Sequence, residues 1–314
     1  MKHLKNHLLL LTAALALAAC GGSDNDNGSS SSSANANRNI ATGNLPAEVT
    51  RTEFPKVKGG SDNVIIVHST SAYGVNFCTE FDLTKKSQRW SCYAVYKTNN
   101  VSGWYRSNWY NGTVWQGKTW YGDPFQPDPA IPETSQPSTS EFGSSGYQRG
   151  HIVASADRIC NQDVNGQTFY MTNMQPMIGN FNGNIWANIE AKIRGFATSY
   201  VKTESDTMFV CKGGTIDNAD QIIGYTTNHF IVPKYFFAAI LLKTTKGNKA
   251  LGFYIEHKPW SDNNSLIPHV VNIAKLEELT GIDFFCNLPD SEEDKLESRE
   301  INDTYLKQQW GVDQ

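Results

Sequence analysis

The side chains best suited to chemistry lie between positions 147 and 194 of this 314-residue chain. In chain order they are Arg149, His151, Asn173, Asn182, Trp186, Glu190 and Arg194. The last four are each four residues apart, which on a helix places them on one slowly drifting stripe. This stripe is unusual for a core face, because an amphipathic helix normally buries aliphatic side chains there. A packed tryptophan beside a surface Glu–Arg pair would also explain it, without any chemistry.

Together, these residue types could hydrolyse a phosphodiester. The reaction needs a base to activate water, positive charge beside the phosphoryl oxygens and help for the leaving alkoxide. His151 is of the type that serves as a base near neutral pH. Asn182 offers a neutral oxygen to a hard cation such as Mg²⁺, which keeps most of its waters, and Glu190 could accept hydrogen bonds from those waters. Arg149 and Arg194 could each bind phosphate oxygens through paired hydrogen bonds.

The order of these motifs resembles the DNA/RNA non-specific endonuclease family. The resemblance rests on Arg-Gly-His followed by Ser-Ala-Asp-Arg, then Thr-Asn-Met-Gln-Pro, then Asn-x-x-x-Trp-x-x-x-Glu, and it extends over about residues 62–295. It implies an α+β fold with a ββα-metal (His-Me finger) core, a mixed, mainly antiparallel sheet and flanking helices. It also implies a metal-dependent endonuclease that cleaves DNA and RNA alike, using Mg²⁺, which Mn²⁺ can replace.

The resemblance assigns roles to individual side chains. His151 matches the general base, Asn182 the asparagine that binds the metal directly, and Glu190 the carboxylate beside the metal's water molecules. Asn180 and Asn184 are rival metal ligands, but the four-residue spacings to the following tryptophan and glutamate favour Asn182.

The remaining matches concern support and charge. Asn173 matches an asparagine that supports the geometry of the active site, and Arg149 and Arg194 match arginines that neutralise phosphate. Arg106 loosely resembles an upstream arginine of the family, but a long insertion follows it.

One position departs from the family pattern. The motif usually opens with aspartate, whereas this chain has Gln148, which keeps a hydrogen-bond acceptor but not the charge. Metal affinity or rate could therefore be lower, which leaves open a catalytically weak surface lipoprotein that binds nucleic acid or a protein partner. The intact His151, Asn182 and Glu190 argue against that alternative. A phosphodiesterase or exonuclease that acts on short oligonucleotides is a further alternative.

Composition and charge narrow the class of protein. The net charge is −4, which argues against a duplex-binding factor, since such proteins usually carry a basic face. A local arginine cluster can still bind phosphate on an otherwise acidic protein. Five cysteines follow Cys20, and Cys78 with Cys92, which flank an expected hairpin, are the best candidates for a disulfide.

The N-terminal residues predict export. A short positive region, Met1–Lys5, precedes the apolar run Leu8–Ala19, which is too short to span a bilayer stably. Leu17-Ala18-Ala19-Cys20 resembles a bacterial lipobox, so we expect a lipid on Cys20 that anchors the chain to a membrane. An ordinary signal peptide that ends in cysteine is the alternative. The residues after Cys20 favour the outer membrane or cell surface over the inner membrane.

The chain is therefore divided into a signal peptide over 1–19, a lipidated cysteine with a flexible tether over 20–60, and an endonuclease domain over 61–312. The tether is rich in Ser, Asn and Gly and poor in large apolar residues, which prevents it from burying a core. Residues 97–147 are rich in Trp, Tyr, Gly and Pro and indicate a long loop. Strands are expected at 63–68, 89–96, 168–171, 207–211, 229–233, 235–242 and 250–254, and a helix over 269–280.

Overall fold

The computed structural model describes residues 35–142, 145–262 and 264–312. The expected signal peptide, Cys20 and the first part of the expected tether lie outside these residues. None of the helices in the described part combines the length and the apolar composition needed to cross a bilayer.

Thirteen strands and five α-helices are present in the described residues, and a π-helix at Phe181–Trp186 runs directly into the second α-helix. The strands are β1 (Asn63–Thr70), β2 (Gly74–Asp82), β3 (Ser87–Tyr96), β4 (Thr113–Trp115), β5 (Lys118–Trp120), β6 (Gln148–His151), β7 (Met174–Met177), β8 (Thr207–Gly214), β9 (Ile222–Tyr225), β10 (Ile231–Pro233), β11 (Tyr235–Thr244), β12 (Gly247–Glu256) and β13 (Val270–Val271). The helices are α1 (Gln162–Gln167), α2 (Ala187–Tyr200), α3 (Ile273–Thr280), α4 (Asp290–Glu297) and α5 (Asp303–Tyr305).

A seven-stranded sheet in the order β1-β2-β3-β8-β11-β12-β13 forms the centre of the fold. Every pairing within it is antiparallel, so the expected α+β class with a mainly antiparallel sheet is confirmed, although no parallel pair makes this sheet mixed. Side chains alternate between the two faces along each strand. Phe236 and Ala238 face the core beneath α2, whereas Phe237 and Ala239 face the core beneath α3.

The segment from 35 to 60 belongs to the folded domain, although the sequence predicts it as part of a flexible tether. Val49 and Phe54 are fully buried in the core beneath α3, and the Phe54 ring meets the edge of Trp90 at 5.4 Å between centroids. Asn39 is also buried and donates a hydrogen bond to the Pro55 carbonyl. Two large apolar side chains thus fix a segment whose average composition is polar.

A small hairpin beside the main sheet positions the predicted site residues. β6 pairs antiparallel with β7, and His151, the last residue of β6, lies opposite Met174. A Cβ on Gly150 would lie 2.2 Å from the Met177 side chain, so only glycine allows this close pairing. The π-helix and α2 follow β7, which completes a strand–strand–helix unit.

Two local predictions are wrong. Residues 168–171 form no strand, because the amides of Phe169 and Tyr170 bond back to carbonyls of α1 and extend its last turn. Cys78 and Cys92 are direct cross-strand neighbours in β2 and β3, as a hairpin requires, but both thiols are free and buried. The predicted helix begins at Ile273 and ends, as expected, at Gly281, which has a φ of +68°.

Candidate active site

A cavity of about 960 Å³ opens between β6, the start of α2 and a 3-10 helix at Arg106–Tyr110. Five side chains singled out from the sequence line it together: Arg149, His151, Asn182, Glu190 and Arg194. Asn173 does not line it, and Cys20 lies outside the described residues. Gln148, which departs from the family motif, and Arg106, which resembles a family arginine only loosely, also line the cavity.

His151 is held in a largely apolar wall of this cavity. Its ring packs edge-on against Phe169 at 5.1 Å and beside Phe125 at 5.6 Å. Burial, followed by the positive charge of Arg106, lowers the pKa of His151 to about 3, so the imidazole is neutral at physiological pH. Its Nε2 makes no hydrogen bond within the described residues. A neutral imidazole has one ring nitrogen without a hydrogen, which can accept a proton from a ligand that reaches it.

Two residues fix the backbone that carries His151. The indole of Trp186 donates to the His151 carbonyl at 3.2 Å, which links the helical segment to β6. Asn173 is fully buried and binds both the amide and the carbonyl of Val153 at 2.9 Å, and its amide nitrogen also reaches the Thr168 carbonyl at 2.7 Å. Asn173 therefore supports the geometry from behind the cavity and touches nothing that binds there.

Of the three candidate asparagines, Asn182 is the one that lines the cavity. Its Nδ2 donates to Gln148 Oε1 at 2.8 Å, which leaves the side-chain oxygen as the group available to a cation. Asn184 instead donates to the Trp260 carbonyl at 2.6 Å, and Asn180 is an exposed residue at the start of the π-helix. The structure thus agrees with the spacing argument that favours Asn182.

Glu190 and Arg194 connect the cavity to a buried charge network. Arg194 donates to one oxygen of Asp157 at 3.0 Å, and Lys212 donates to the other at 3.1 Å. Burial would raise the pKa of Asp157, but Lys212 and Arg194 hold it below its usual value. Burial raises the pKa of Glu190 to about 7, although Lys212 and Arg194 oppose the shift. Glu190 can therefore exchange a proton near neutral pH.

The other two arginines of the cavity differ in their availability. Arg106 forms an ion pair with Asp123, which also lines the cavity, so part of its charge is already balanced. Arg149 lies over the ring of Phe125 at 4.2 Å and makes no ion pair with any described residue. A guanidinium stacked on an aromatic ring keeps its in-plane donors free, so Arg149 is the best placed to bind an anion.

The donor set fits a hard divalent cation. Asn182 contributes a neutral oxygen and Glu190 a carboxylate, and Mg²⁺ or Mn²⁺ is commonly bound by one or two protein oxygens with several waters. Within the described residues, the only close cluster of three His, Cys, Asp or Glu side chains is Glu277, Asp283 and Glu297, which does not line this cavity.

Sequence reasoning missed Asp157 and Lys212. Asp157 stands within the Ser-Ala-Asp-Arg motif, but nothing local shows that its partners come from β8 and α2. Lys212 did leave a signal, since it interrupts the otherwise apolar strand Met208-Phe209-Val210-Cys211. A lysine in a buried strand needs a partner, and here that partner is a carboxylate.

The family model of the DNA/RNA non-specific endonucleases matches residues 64–291. The chain belongs to this family. It is 31% identical over 171 residues to a mitochondrial nuclease of Saccharomyces cerevisiae, a match that covers 50% of this chain and 51% of that one. It is 30% identical over 159 residues to human mitochondrial endonuclease G, covering 47% and 51% of the two chains. The match thus spans about half the length of these relatives.

A solved structure shares the fold. The chain aligns with a crystal structure of the EndoG/EndoGI complex at a TM-score of 0.58 and 20% identity, covering 74% of this chain and 91% of the other. The expected ββα-metal architecture is therefore confirmed, with β6, β7 and the helical segment that follows as its strand–strand–helix unit.

Proposed function

We propose that this protein is a metal-dependent endonuclease that hydrolyses phosphodiester bonds of DNA and RNA without sequence specificity. The observation that carries the proposal is that one cavity combines a neutral, buried His151 with Asn182 and the unpaired guanidinium of Arg149. Family membership and relatives named as nucleases support it. Recognition through phosphate and metal would tolerate either sugar, because phosphate contacts carry no direct sequence information.

His151 acts in this proposal as the general base toward a water molecule in the cavity. Its imidazole is neutral at physiological pH, so one ring nitrogen carries no hydrogen and can accept the proton when water reaches it. Arg106 contributes to the low pKa of His151, and a bound phosphodiester would offset that positive charge. The proton affinity of His151 therefore rises on substrate binding, when a base is required.

The remaining side chains of the cavity bind the phosphate and hold the metal ion. Arg149 binds phosphoryl oxygens with its free donors, and Arg194 assists while Asp157 keeps it in place. Asn182 would hold Mg²⁺, or Mn²⁺ in its place, with Glu190 beside the ion's water molecules. When bound, the ion supplies positive charge that stabilises the leaving alkoxide.

A plasmid-nicking assay with and without EDTA tests the proposal. We expect nicking and linearisation in Mg²⁺ and none in EDTA. His151→Ala should slow nicking by about 10²–10⁴-fold. His269→Ala, whose ring packs on Trp260 outside the cavity, is the matched control and should keep the wild-type rate. Nicking that resists EDTA, or that persists in a folded His151→Ala variant, would contradict the proposal. A circular substrate also excludes an exonuclease, which needs an end.

We further propose that the protein is an exported bacterial lipoprotein, anchored through Cys20 at the outer membrane or cell surface. The support comes from the sequence alone, namely the positive start, the short apolar run and the Leu17-Ala18-Ala19-Cys20 motif.

A further inference from the structure

The insertion between β3 and β6 carries a concentration of exposed aromatic side chains. Eight large hydrophobic side chains are exposed in the described chain, and five of them fall between positions 101 and 121. They are Val101, Tyr105, Tyr110, Val114 and Tyr121. Single exposed apolar residues are ordinary, but several on one segment mark a surface that binds something.

This insertion is firmly packed, although the sequence predicts a long loop. Trp109 is fully buried and its indole donates to Asn165 Oδ1 at 2.7 Å, while the indole of Trp115 donates to Asp163 Oδ1 at 2.9 Å. The two tryptophan rings pack against each other at 5.4 Å. The tryptophans therefore fill the interior of the insertion, and its tyrosines remain outside on a fixed base.

Tyr105, Tyr110 and Tyr121, here named the tyrosine shelf, are 54%, 55% and 76% exposed. Tyr105 itself lines the catalytic cavity, next to the Arg106 side chain. The Tyr121 ring comes within 3.1 Å of where a Cβ on Gly112 would lie, so the shelf uses the space that this glycine leaves.

Tyr110 and Tyr121 do not line the cavity themselves, but short chain segments connect them to residues that do. The Tyr110 ring lies 3.9 Å from the position of a Cβ on Gly122, which is adjacent to Asp123 in the chain. Asp123 lines the cavity and pairs with Arg106, the first residue of the 3-10 helix that ends at Tyr110. The Arg106–Asp123 ion pair therefore joins, at the cavity, the two chain segments that carry Tyr110 and Tyr121.

The charge of the segment identifies the kind of ligand. Residues 101–123 contain two basic residues, Arg106 and Lys118, and one acidic residue, Asp123, which is paired with Arg106, although the whole chain has 31 acidic residues against 27 basic ones. Aromatic faces beside cations, with the one carboxylate already neutralised by its partner, suit a polyanion that carries flat rings. They suit a basic protein surface poorly.

We propose that the tyrosine shelf stacks unpaired nucleobases and thereby feeds single-stranded DNA or RNA into the catalytic cavity. The inference rests on the proposed nuclease function and names the form of nucleic acid that the enzyme prefers. In a duplex the faces of the bases are already stacked on each other, so the rings of the shelf have nothing to cover. An unpaired strand offers every base face, whatever its sequence.

Binding without cleavage tests this inference. In the His151→Ala background and in EDTA, fluorescence anisotropy would measure the affinity for a labelled oligothymidylate of about twelve nucleotides, a length within the range of single-strand binding sites. An abasic strand of equal length provides the same phosphates without bases. We expect the oligothymidylate to bind roughly tenfold more tightly, and Tyr110→Ala with Tyr121→Ala to remove that difference.

Matched variants separate stacking from loss of structure. Tyr110→Phe with Tyr121→Phe keeps both rings and should retain the affinity, and Tyr225→Ala, an exposed tyrosine of β9 outside the cavity, should leave binding unchanged. The inference is overturned if the alanine pair binds oligothymidylate as tightly as its background, or loses abasic binding equally. In that case the enzyme with intact His151 would still nick plasmid DNA, so the inference about stacking can fail while the proposed nuclease function holds.

Discussion

The hydrogen bond between Gln148 and Asn182 shows how one side chain orients another at this site. Asparagine carries an oxygen and a nitrogen on the same carbon, and only the oxygen binds a cation. Gln148 Oε1 accepts from Asn182 Nδ2 at 2.8 Å and so selects the rotation that leaves the oxygen for the cavity. Gln148, which stands where the family motif usually has aspartate, therefore orients Asn182 without adding a negative charge.

Asn182→Ala should reduce both the apparent affinity for Mg²⁺ and the rate at saturating Mg²⁺, because the variant lacks the only neutral oxygen proposed to hold the ion. Asn184→Ala is the control, since its side chain binds the Trp260 carbonyl outside the cavity. Initial nicking rates measured across a Mg²⁺ titration would check this. Equal Mg²⁺ dependence in the two variants would remove Asn182 from the metal site.

Gln148→Glu should increase activity at limiting Mg²⁺ and change it less at saturation. Glutamate has the same reach, so it can still accept from Asn182 while it adds a negative charge. At an effective dielectric near 20 and roughly 5 Å, that charge would attract a divalent ion by several kcal/mol before desolvation. Desolvation offsets most of this attraction, and we expect the apparent affinity for Mg²⁺ to rise about tenfold. The Mg²⁺ titration decides the matter: curves that overlap with wild type would show that position 148 does not tune the metal.

At the scale of the elements, the β6–β7 hairpin depends on a residue that never meets the substrate. Asn173 makes three hydrogen bonds to the backbone at Val153 and Thr168. Asn173→Ala would leave these buried groups without partners, at about 1–3 kcal/mol for each unsatisfied group. We expect a fall of at least about 3 kcal/mol in the free energy of unfolding, measured by urea denaturation, and a loss of kcat. Unchanged stability would show that the hairpin is held by other contacts.

Helix α4 brings a second set of carboxyl groups together, away from the cavity. Burial, followed by the charge of neighbouring Glu277, raises the pKa of Glu297 to about 9, and burial raises the pKa of Glu293 to about 8. Both values exceed the ordinary 4.5 for glutamate, so the folded protein binds more protons here than the unfolded chain does. This contribution to stability is complete below about pH 4.5 and is lost as the pH rises through 8 to 9.

Glu297→Gln should therefore raise the melting temperature at pH 8 and leave it nearly unchanged at pH 5. The buried histidines have the opposite effect, because the pKa of His151, lowered to about 3, penalises folding below about pH 6.5. Comparing variant with wild type at each pH cancels that contribution. A difference in melting temperature that is the same at both pH values would contradict the shifted pKa of Glu297.

Local patterns predicted most of the elements but not the contacts between distant ones. Strands such as β3 and β11 are apolar enough to be recognised directly, whereas the strand expected at 168–171 was lost to a helical turn that composition does not distinguish. The motif spacing predicted that Asn182 and Glu190 share a face of one helix, and both line the cavity. The sequence could not predict the contact between Asp157 and Lys212, because a contact between a 3-10 turn and a strand 55 residues away has no local signature.

At the scale of the whole molecule, the folded domain includes residues that the sequence assigns to the tether. Residues 35–60 pack with the domain, and the anchor is proposed at Cys20, which precedes them in the chain. Cys20→Ser should release the protein from membranes while nicking activity stays at the wild-type level, because the described residues that line the cavity all lie between Tyr105 and Arg194. Detergent partitioning and a nicking assay on the soluble fraction would check both. A variant that still partitions with membranes would mean that another feature holds it.

The row of buried thiols across the sheet allows opening of the sheet to be measured by thiol labelling. Cys78, Cys92 and Cys211 lie side by side on three neighbouring strands, fully buried, and burial raises the pKa of each well above the ordinary value. A thiol reagent attacks the thiolate and needs access, so native molecules are protected on both counts. The rate at which such a reagent labels these cysteines therefore measures how often the centre of the sheet separates.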